Sequence, residues 1–208
     1  TLVWVGSSNQ VHTATALIGA GPAAGSAPVL LTTRREAYRM DGQLPDAGTV
    51  EQGTGIEMAV FDQTRAALDP EMSLWESLTG DPLMRVSGRA DQVMVRGEPR
   101  HVVGYLKDFL FSEAQARAPV KALSGGEKAR LLLAKLMARP ANLLVLDEPT
   151  NDLDVETLDL LEEIVADYDG TVLLVSHDRD FIDRVATVTV AMEGDGRATV
   201  YAGGWSDY

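Results

Sequence analysis

The chain has 208 residues, of which 45% are hydrophobic and 24% are charged, and its formal net charge is −13. This composition is ordinary for a globular domain, and the length allows one sizeable core with a smaller attached subdomain. Because so acidic a chain repels phosphates, the composition excludes nucleic-acid binding through overall charge, and such binding would need a local basic patch or another part of a longer protein.

Three further observations narrow the class of protein. No segment reaches the roughly 20 apolar residues that a membrane-spanning helix needs. The chain starts at Thr1 without a basic, apolar leader, so we expect an incomplete N-terminus and no secretion signal. The absence of cysteine excludes disulfides and thiolate metal sites and favours a cytoplasmic location.

The first 41 residues give weak structural signals. "TLVWVG" at the start predicts a strand. "IGAGPAAGSAPVLLTT", Ile18 to Thr33, combines an apolar run with a glycine-rich loop, which is typical of a phosphate-binding turn. Such a turn needs a lysine, and the first lysine of the chain is Lys107. This stretch shows neither helical nor strand periodicity.

The middle of the chain alternates short elements. "EMAVFDQ" predicts a strand, "SLWESL" a helix, and "DQVMVRGEPRH" a hairpin that turns at Arg96 to Glu98. "VVGYLKDFLF" predicts a helix with Val103, Leu106 and Leu110 on one side. "SGGEKARLLLAKLMAR" predicts a longer helix that Pro140 ends.

The last seventy residues predict an α/β layered fold. "NLLVLDE" and "TVLLVS" are apolar runs typical of parallel strands buried on both faces. "VETLDLLEEIVADYDG" predicts an amphipathic helix that stops at Gly170, and "DRDFIDRVA" predicts a further helix. "TVTVAME" and "ATVYAG" predict a terminal hairpin.

Two carboxylates follow the first of these buried strands. Asp147 and Glu148 stand where it ends, and ligands of open α/β sheets bind at the carboxyl ends of strands. Asp147 can hold Mg²⁺, and Glu148 can polarise a water that attacks phosphorus. The simpler alternative is an acidic turn before the next helix, with Asp154 as its N-cap.

Two glycines open the helix after Ser124. Ser124 and Glu127 fit a capping box, but Gly125 and Gly126 cost about 1 kcal/mol each in a helix relative to alanine. These two glycines are explained better by a group that approaches the backbone closely than by helix propensity. Bare N–H groups at a helix start, beside the Ser124 hydroxyl, favour a polyphosphate.

Two single side chains complete the candidates. His177 follows the second buried strand and lies at the same sheet edge as Glu148 if the two strands are parallel neighbours. There it can hydrogen-bond a phosphate oxygen or the attacking water. Gln63 follows the strand "MAVF" and can reach a metal or a water, although by itself it is equally well a surface glutamine.

Taken in order, these motifs resemble the ATP-binding cassette ATPases. The matching segments are Phe61–Gln63 for the Q-loop, Leu123–Glu127 for the signature, Leu143–Glu148 for the Walker B strand and catalytic glutamate, Asn151–Asp154 for the D-loop and His177 for the switch histidine. "DEPTNDLD", "VSHDRDF" and "YAGGWSDY" are similar to the ABC-F class, Uup-like branch, second cassette. The cassette of a membrane transporter matches these motif sequences less well.

The resemblance implies a fold, a mechanism and partners. It implies a P-loop NTPase-like cassette with a mixed sheet core, in which 1–41 is a degraded Walker A region, about 64–140 a helical subdomain with the signature, and 141–208 the core. Two cassettes pair head to tail around ATP and Mg²⁺, in tandem or as a homodimer. A ribosome or nucleic acid would be contacted through regions outside this chain.

Each candidate residue takes a role from this resemblance. Ser124, Gly125 and Gly126 would contact ATP bound mainly by the partner cassette, and Asp154 would also bind nucleotide. Gln63 and Asp147 would hold the metal, and Gln63 would also contact the nucleotide. Glu148 and His177 would be catalytic, acting on the chain's own nucleotide.

The chain departs from the family at the phosphate loop. Gly19, Gly21 and Gly25 do not have the GxxGxGK[ST] spacing, prolines break the expected helix, and Arg34 or Arg35 replaces an ammonium poorly. Two explanations stay open: a shifted reading frame before Gly42, which we favour, or a degenerate site that binds no nucleotide. Both predict slow hydrolysis, or none, by this chain alone. A non-catalytic module that lends its signature to another cassette is the alternative function.

Overall fold

The structure is a computed structural model that describes residues 2–5, 15–18, 29–33, 48–51, 55–61, 68–151, 153–192 and 198–208, with strand backbone alone up to residue 51. The strands in chain order are β1 (Leu2–Val5), β2 (Thr15–Ile18), β3 (Val29–Thr33), β4 (Gly48–Glu51), β5 (Met58–Phe61), β6 (Gln92–Val95), β7 (Glu98–His101), β8 (Leu143–Asp147), β9 (Thr171–Val175), β10 (Val188–Met192) and β11 (Ala198–Ala202). The helices are α1 (Leu74–Thr79), α2 (Val102–Asp108), α3 (Glu113–Ala116), α4 (Gly125–Met137), α5 (Val155–Ala166) and α6 (Arg179–Val185), with 3₁₀ turns at Val120–Ala122 and Trp205–Asp207.

The largest sheet has six strands in the order β11-β10-β1-β9-β8-β5. β1 runs parallel to β9 and β10, β8 runs parallel to β9, and β11 is antiparallel to β10. The apolar residues Leu143–Leu146 of β8 are all buried, as expected for a strand covered on both faces. The predicted α/β fold with a mixed sheet is confirmed.

A second sheet lies in the region that gave weak signals. β2, β3 and β4 form an antiparallel sheet in which Ile18 pairs with Val29. The stretch Ile18–Thr33 therefore begins with the last residue of β2 and ends with β3, and residues 19–28 between them lie outside the described part. The sequence did not predict these strands because neither segment alternates polar and apolar residues.

Serine caps define where several helices begin. Ser73, Ser112 and Ser124 each accept a hydrogen bond from the backbone N–H three residues later, where a Glu or Gln side chain bonds back to the serine N–H. The predicted capping box of Ser124 and Glu127 is thus confirmed. Ordinary local chemistry fixes the first residue of α4.

The inward face predicted for α2 is partly wrong. The buried residues of this helix are Val102, Tyr105 and Leu106. The helix ends at Asp108, and Leu110 follows with φ 62° and a 49% exposed side chain. Because the left-handed conformation of Leu110 interrupts the helical repeat, its side chain does not lie on the apolar side that helical periodicity predicts.

The chain divides into two compact units. The first comprises residues 1–60, 142–150 and 162–208, and the second comprises residues 61–141 and 151–161. The second unit holds the hairpin β6–β7, whose two-residue turn Arg96-Gly97 has positive φ at both positions, as predicted for a tight hairpin. No helix in the described ranges combines the length and the apolar composition needed to cross a membrane.

Candidate functional site

The first group of candidate residues lies at the carboxyl ends of β8 and β9. These strands are parallel neighbours, and Asp147 pairs in register with Val175. The Glu148 N–H donates to the Val175 carbonyl at 2.8 Å, which extends the pairing by one residue. His177 stands two residues after β9. The sheet therefore brings Glu148 and His177 to one edge, as the two apolar runs predicted.

Glu148 and His177 are in direct contact. His177 Nε2 lies 3.1 Å from Glu148 Oε1, and the His177 backbone N–H points at Glu148 Oε2 over 3.4 Å. Oε1 is buried and has no aligned hydrogen-bond donor among the described groups. Glu148 has φ 44°, a left-handed conformation that is costly for a side chain of this size. The backbone thus turns sharply at the residue whose carboxylate faces the imidazole.

Burial raises the pKa of the Glu148 carboxyl above its usual value of 4.5. The His177 imidazole and its backbone N–H oppose this effect and lower the pKa, whereas the neighbouring Asp147 charge raises it further. A carboxylate with a raised pKa is a stronger base than an exposed one. The electrostatics of this edge therefore suit Glu148 to accept a proton from water.

The donor chemistry at this edge fits Mg²⁺. Asp147 is exposed at the end of β8, and its negative charge disfavours the ionised form of the neighbouring Glu148 carboxyl. A divalent cation relieves this repulsion, and Mg²⁺ typically binds one or two carboxylates while it keeps several waters. In the described residues no three His, Cys, Asp or Glu side chains cluster to hold a metal by themselves. Gln63, the other predicted metal ligand, lies outside the described residues.

The second group of candidate residues surrounds the start of α4, in the other compact unit. Ser124 and Gly125 are exposed, and a Cβ added at Gly125 would meet no atom within 4 Å. The Ser124 Oγ accepts the Glu127 N–H at 3.2 Å, and the Ser124 N–H donates to Glu127 Oε2 at 2.8 Å. The space beside the Gly125 Cα is therefore open to a group that approaches the start of α4.

Gly126 differs from Gly125, and the sequence argument did not distinguish them. Gly126 is buried, and a Cβ there would collide with the Asp154 carboxylate, whose Cγ lies 3.0 Å from that position. The group that approaches the Gly126 backbone closely is therefore a side chain of this protein. No local pattern reveals this contact, because Asp154 lies 28 residues further along the chain.

Asp154 is also bound to the start of α5. Its Oδ1 accepts the Thr157 N–H at 2.8 Å, which is the geometry of the N-cap that the sequence offered as the simpler alternative. The hydroxyl and N–H of Thr157 lower the pKa of Asp154, and Arg130 lowers it further. Asp154 is therefore a stably ionised carboxylate held at the start of α5.

The strand β1 marks where a phosphate loop would follow. β1 is parallel to β9, so it ends at the same sheet edge as β8 and β9. The residues that follow it, 6–14, lie outside the described part and begin with "GSSN". The glycine-rich stretch Ile18–Thr33, which the sequence indicated as the phosphate-binding turn, instead begins at the end of β2. Neither stretch contains a lysine.

Comparison with known proteins gives consistent matches. The family described as "ABC transporter" matches residues 29–151. The chain is 56% identical over 162 residues to the ATP-binding protein Uup of Caulobacter vibrioides, which covers 78% of this chain and 26% of the relative. It is 54% identical over 169 residues to Uup of Escherichia coli, with coverage of 81% and 25%. The chain thus spans about a quarter of these relatives.

Two further matches extend the comparison. The energy-dependent translational throttle protein EttA of Haemophilus influenzae is 40% identical over 164 residues, which is 79% of this chain and 28% of the relative. A solved dimeric ATP-binding cassette in a post-hydrolysis state, bound to ADP and Pi, aligns with TM-score 0.51 and 22% identity over 71% of this chain and 63% of that one. This last match supports the fold.

Proposed function

Because the chain belongs to the ABC transporter family of ATP-binding cassettes, in its ABC-F, Uup-like branch, we propose that it is an ATP-hydrolysing cassette of a longer tandem protein. The observation that carries this proposal is the contact of Glu148 with His177 at the ends of two parallel strands. A buried carboxylate with a raised pKa beside an imidazole suits water activation for attack on a phosphoryl group.

In this mechanism the chain's own residues hold and move one proton. Glu148 accepts the proton of the attacking water as that water approaches the γ-phosphate. His177 orients the Glu148 carboxylate through the 3.1 Å contact and can donate to a phosphate oxygen. Asp147, with Gln63, would hold Mg²⁺, which supplies neutralisation of phosphate charge. The fixed turn at Glu148 keeps the carboxylate at the strand end.

The start of α4 serves a different nucleotide. Ser124, Gly125 and Gly126 offer a capped helix N-terminus with open space at Gly125, which suits the phosphates of ATP bound mainly by a partner cassette. The dimeric ATP-binding cassette to which the fold is similar supports such pairing. We infer head-to-tail pairing, within one tandem chain or between two copies.

We further propose that this chain alone hydrolyses ATP slowly or not at all. It has no lysine before Lys107, and the arginines Arg34 and Arg35 do not replace the compact ammonium of a phosphate loop. The antiparallel pair of β2 with β3 also supports this inference, because a phosphate loop leads into a helix and not into a strand. A shifted reading frame before Gly42 and a degenerate site remain the two explanations.

A second candidate function follows from the same missing phosphate-loop lysine. The chain can act as a non-catalytic module that lends Ser124 to Gly126 to another cassette's ATP. The exposed, capped start of α4 favours this function, because its capping hydrogen bonds come from Ser124 and Glu127 of the same chain. In the first candidate function the chain binds ATP by itself, whereas in the second it binds ATP only together with a partner cassette.

The cellular role is inferred from relatives. EttA is named as a translational throttle protein, which supports work on the ribosome or on nucleic acid by the longer protein. At a net charge of −13 such contacts would come from regions outside this chain. The absence of cysteine supports a cytoplasmic location.

Titration with Mg-ATP tests the two candidates. The chain is titrated by calorimetry alone and with an ABC-F cassette that has an intact phosphate loop and a glutamine at its catalytic glutamate. Binding by the chain alone supports the cassette that uses its own nucleotide. Binding that requires both, and that Ser124→Ala weakens, supports the signature-lending module. If the chain neither binds ATP nor strengthens binding by the partner cassette, both candidates are wrong.

A further inference from the structure

The start of α4 and the start of α5 share one carboxylate. Asp154 accepts the Thr157 N–H through Oδ1, and its Oδ2 lies where a Cβ on Gly126 would stand. Both oxygens of one side chain are therefore directed at two helices of the same compact unit. Gly126 has no Cβ where one would collide with this carboxylate, so the contact depends on glycine at this position.

Arg130 lies on the same face of α4 as Gly126, because residues four apart are stacked along a helix. Its side chain is buried, with 7% of the residue exposed, over the ring of Phe111 at 5.4 Å. Its Nη1 is 4.0 Å from Glu156 Oε2, at a distance typical of a weak ion pair, and its Nε has no hydrogen-bond partner among the described groups. A buried guanidinium with so few partners costs folding free energy.

We propose that Gly126 forms a seat for the Asp154 carboxylate, and that Asp154 is a positioning residue that fixes the signature loop Ser124–Gly126 relative to the start of α5. Asp154 is itself exposed, so the hydrogen bond of its Oδ1 with the Thr157 N–H and the contact of its Oδ2 with Gly126 hold it in place. This assignment rests on the proposed function for what the loop does.

The ion-pair partner of Arg130 is Glu156, whose side chain is 79% exposed, so this pair is screened by water. We therefore leave Arg130 out of the seat, in which Thr157 and Gly126 hold Asp154.

A double-mutant cycle on the whole chain tests the seat. Gly126→Ala is expected to lower the melting temperature by roughly 4 °C or more, while Gly125→Ala, which meets open space, leaves it unchanged or raises it. Asp154→Ala loses the N-cap of α5, but in that background Gly126→Ala should no longer be destabilising. Equal effects of the two glycine substitutions, or a penalty that persists without Asp154, would overturn the proposal.

The double-mutant cycle contains no nucleotide. Failure of the seat would leave the proposed ATP function standing, and failure of the ATP function would leave the seat as a structural contact. If both hold, Asp154→Asn in the chain should weaken ATP-dependent pairing with a partner cassette less than Ser124→Ala does. An Asp154→Asn variant that abolishes pairing while the Gly126 contact stays intact would instead show direct nucleotide contact.

Discussion

His177 Nε2 lies 3.1 Å from Glu148 Oε1, and the two residues belong to segments that are 29 positions apart in sequence. The contact exists because β8 and β9 are parallel neighbours that end at the same edge. It joins an exposed imidazole to a largely buried carboxylate, with 60% and 24% of the two side chains exposed. The imidazole is thus accessible to ligand, while the carboxylate is partly screened from bulk solvent.

The first prediction concerns the charge coupling of this pair. Because His177 lowers the pKa of Glu148, replacing it by glutamine should raise that pKa further. The measurement is ¹³C NMR titration of the Glu148 carboxyl with a chelator present. His101→Gln, at an exposed position in the other compact unit, is the control. An unchanged or lower pKa of Glu148 in His177→Gln would contradict the contact.

The second prediction follows from the sign of the same pKa. The folded-state pKa of Glu148 is raised above 4.5, so the folded state binds the proton more tightly than the unfolded state. The corresponding stability is present below the unfolded pKa and is lost as the pH rises through the folded pKa. Glu148→Gln should therefore be at least as stable as the parent chain at pH 7, and its advantage should vanish as the pH falls below 4.5.

Thermal unfolding of both chains between pH 4 and pH 8 measures this difference, within the range in which both stay folded. The parent melting temperature is compared with that of Glu148→Gln at each pH. A variant that is less stable than the parent at pH 7 would show that burial does not disfavour the Glu148 charge.

The third prediction separates capping from ligand binding. Ser124→Ala and Ser112→Ala each remove a serine from a capping box, so each should cost about 1 kcal/mol, or roughly 2–4 °C in melting temperature. Only Ser124→Ala should also weaken Mg-ATP-dependent association with a partner cassette, measured by size-exclusion chromatography. Equal association in the two variants would remove Ser124 from the proposed nucleotide contact.

The fourth prediction concerns the helical unit that carries α4. The Tyr105 hydroxyl is buried and donates to the Ala134 carbonyl at 2.6 Å. Tyr105→Phe should therefore lower the free energy of unfolding by about 1 kcal/mol, because the carbonyl loses a buried partner. Tyr208→Phe, at a half-exposed residue, should have no measurable effect in the same urea denaturation experiment.

The parts of the fold that the sequence predicted are those with strong local patterns. The run "NLLVLDE" could be read as a buried parallel strand, and its neighbour "TVLLVS" followed the same rule, so the edge with Glu148 and His177 was predictable. The capping box of Ser124 and Glu127 is a local spacing, and the structure has it.

The parts that the sequence did not predict depend on distant partners or on weak patterns. The strands β2 and β3 gain their register from each other and not from alternation within either strand. Position 126 needs glycine because the Asp154 carboxylate lies where a Cβ would stand, and the two residues belong to different sequence motifs. The domain organisation and the assigned roles of the site residues, including Gln63, stay predictions.

Steady-state ATP hydrolysis by the isolated chain tests the central claim most directly. Phosphate release is measured with Mg-ATP for the parent and for Glu148→Gln, beside a Uup cassette with an intact phosphate loop as positive control. The parent chain is expected to release phosphate slowly, or not at all, above the Glu148→Gln background. Robust turnover by the parent that Glu148→Gln abolishes would contradict this expectation.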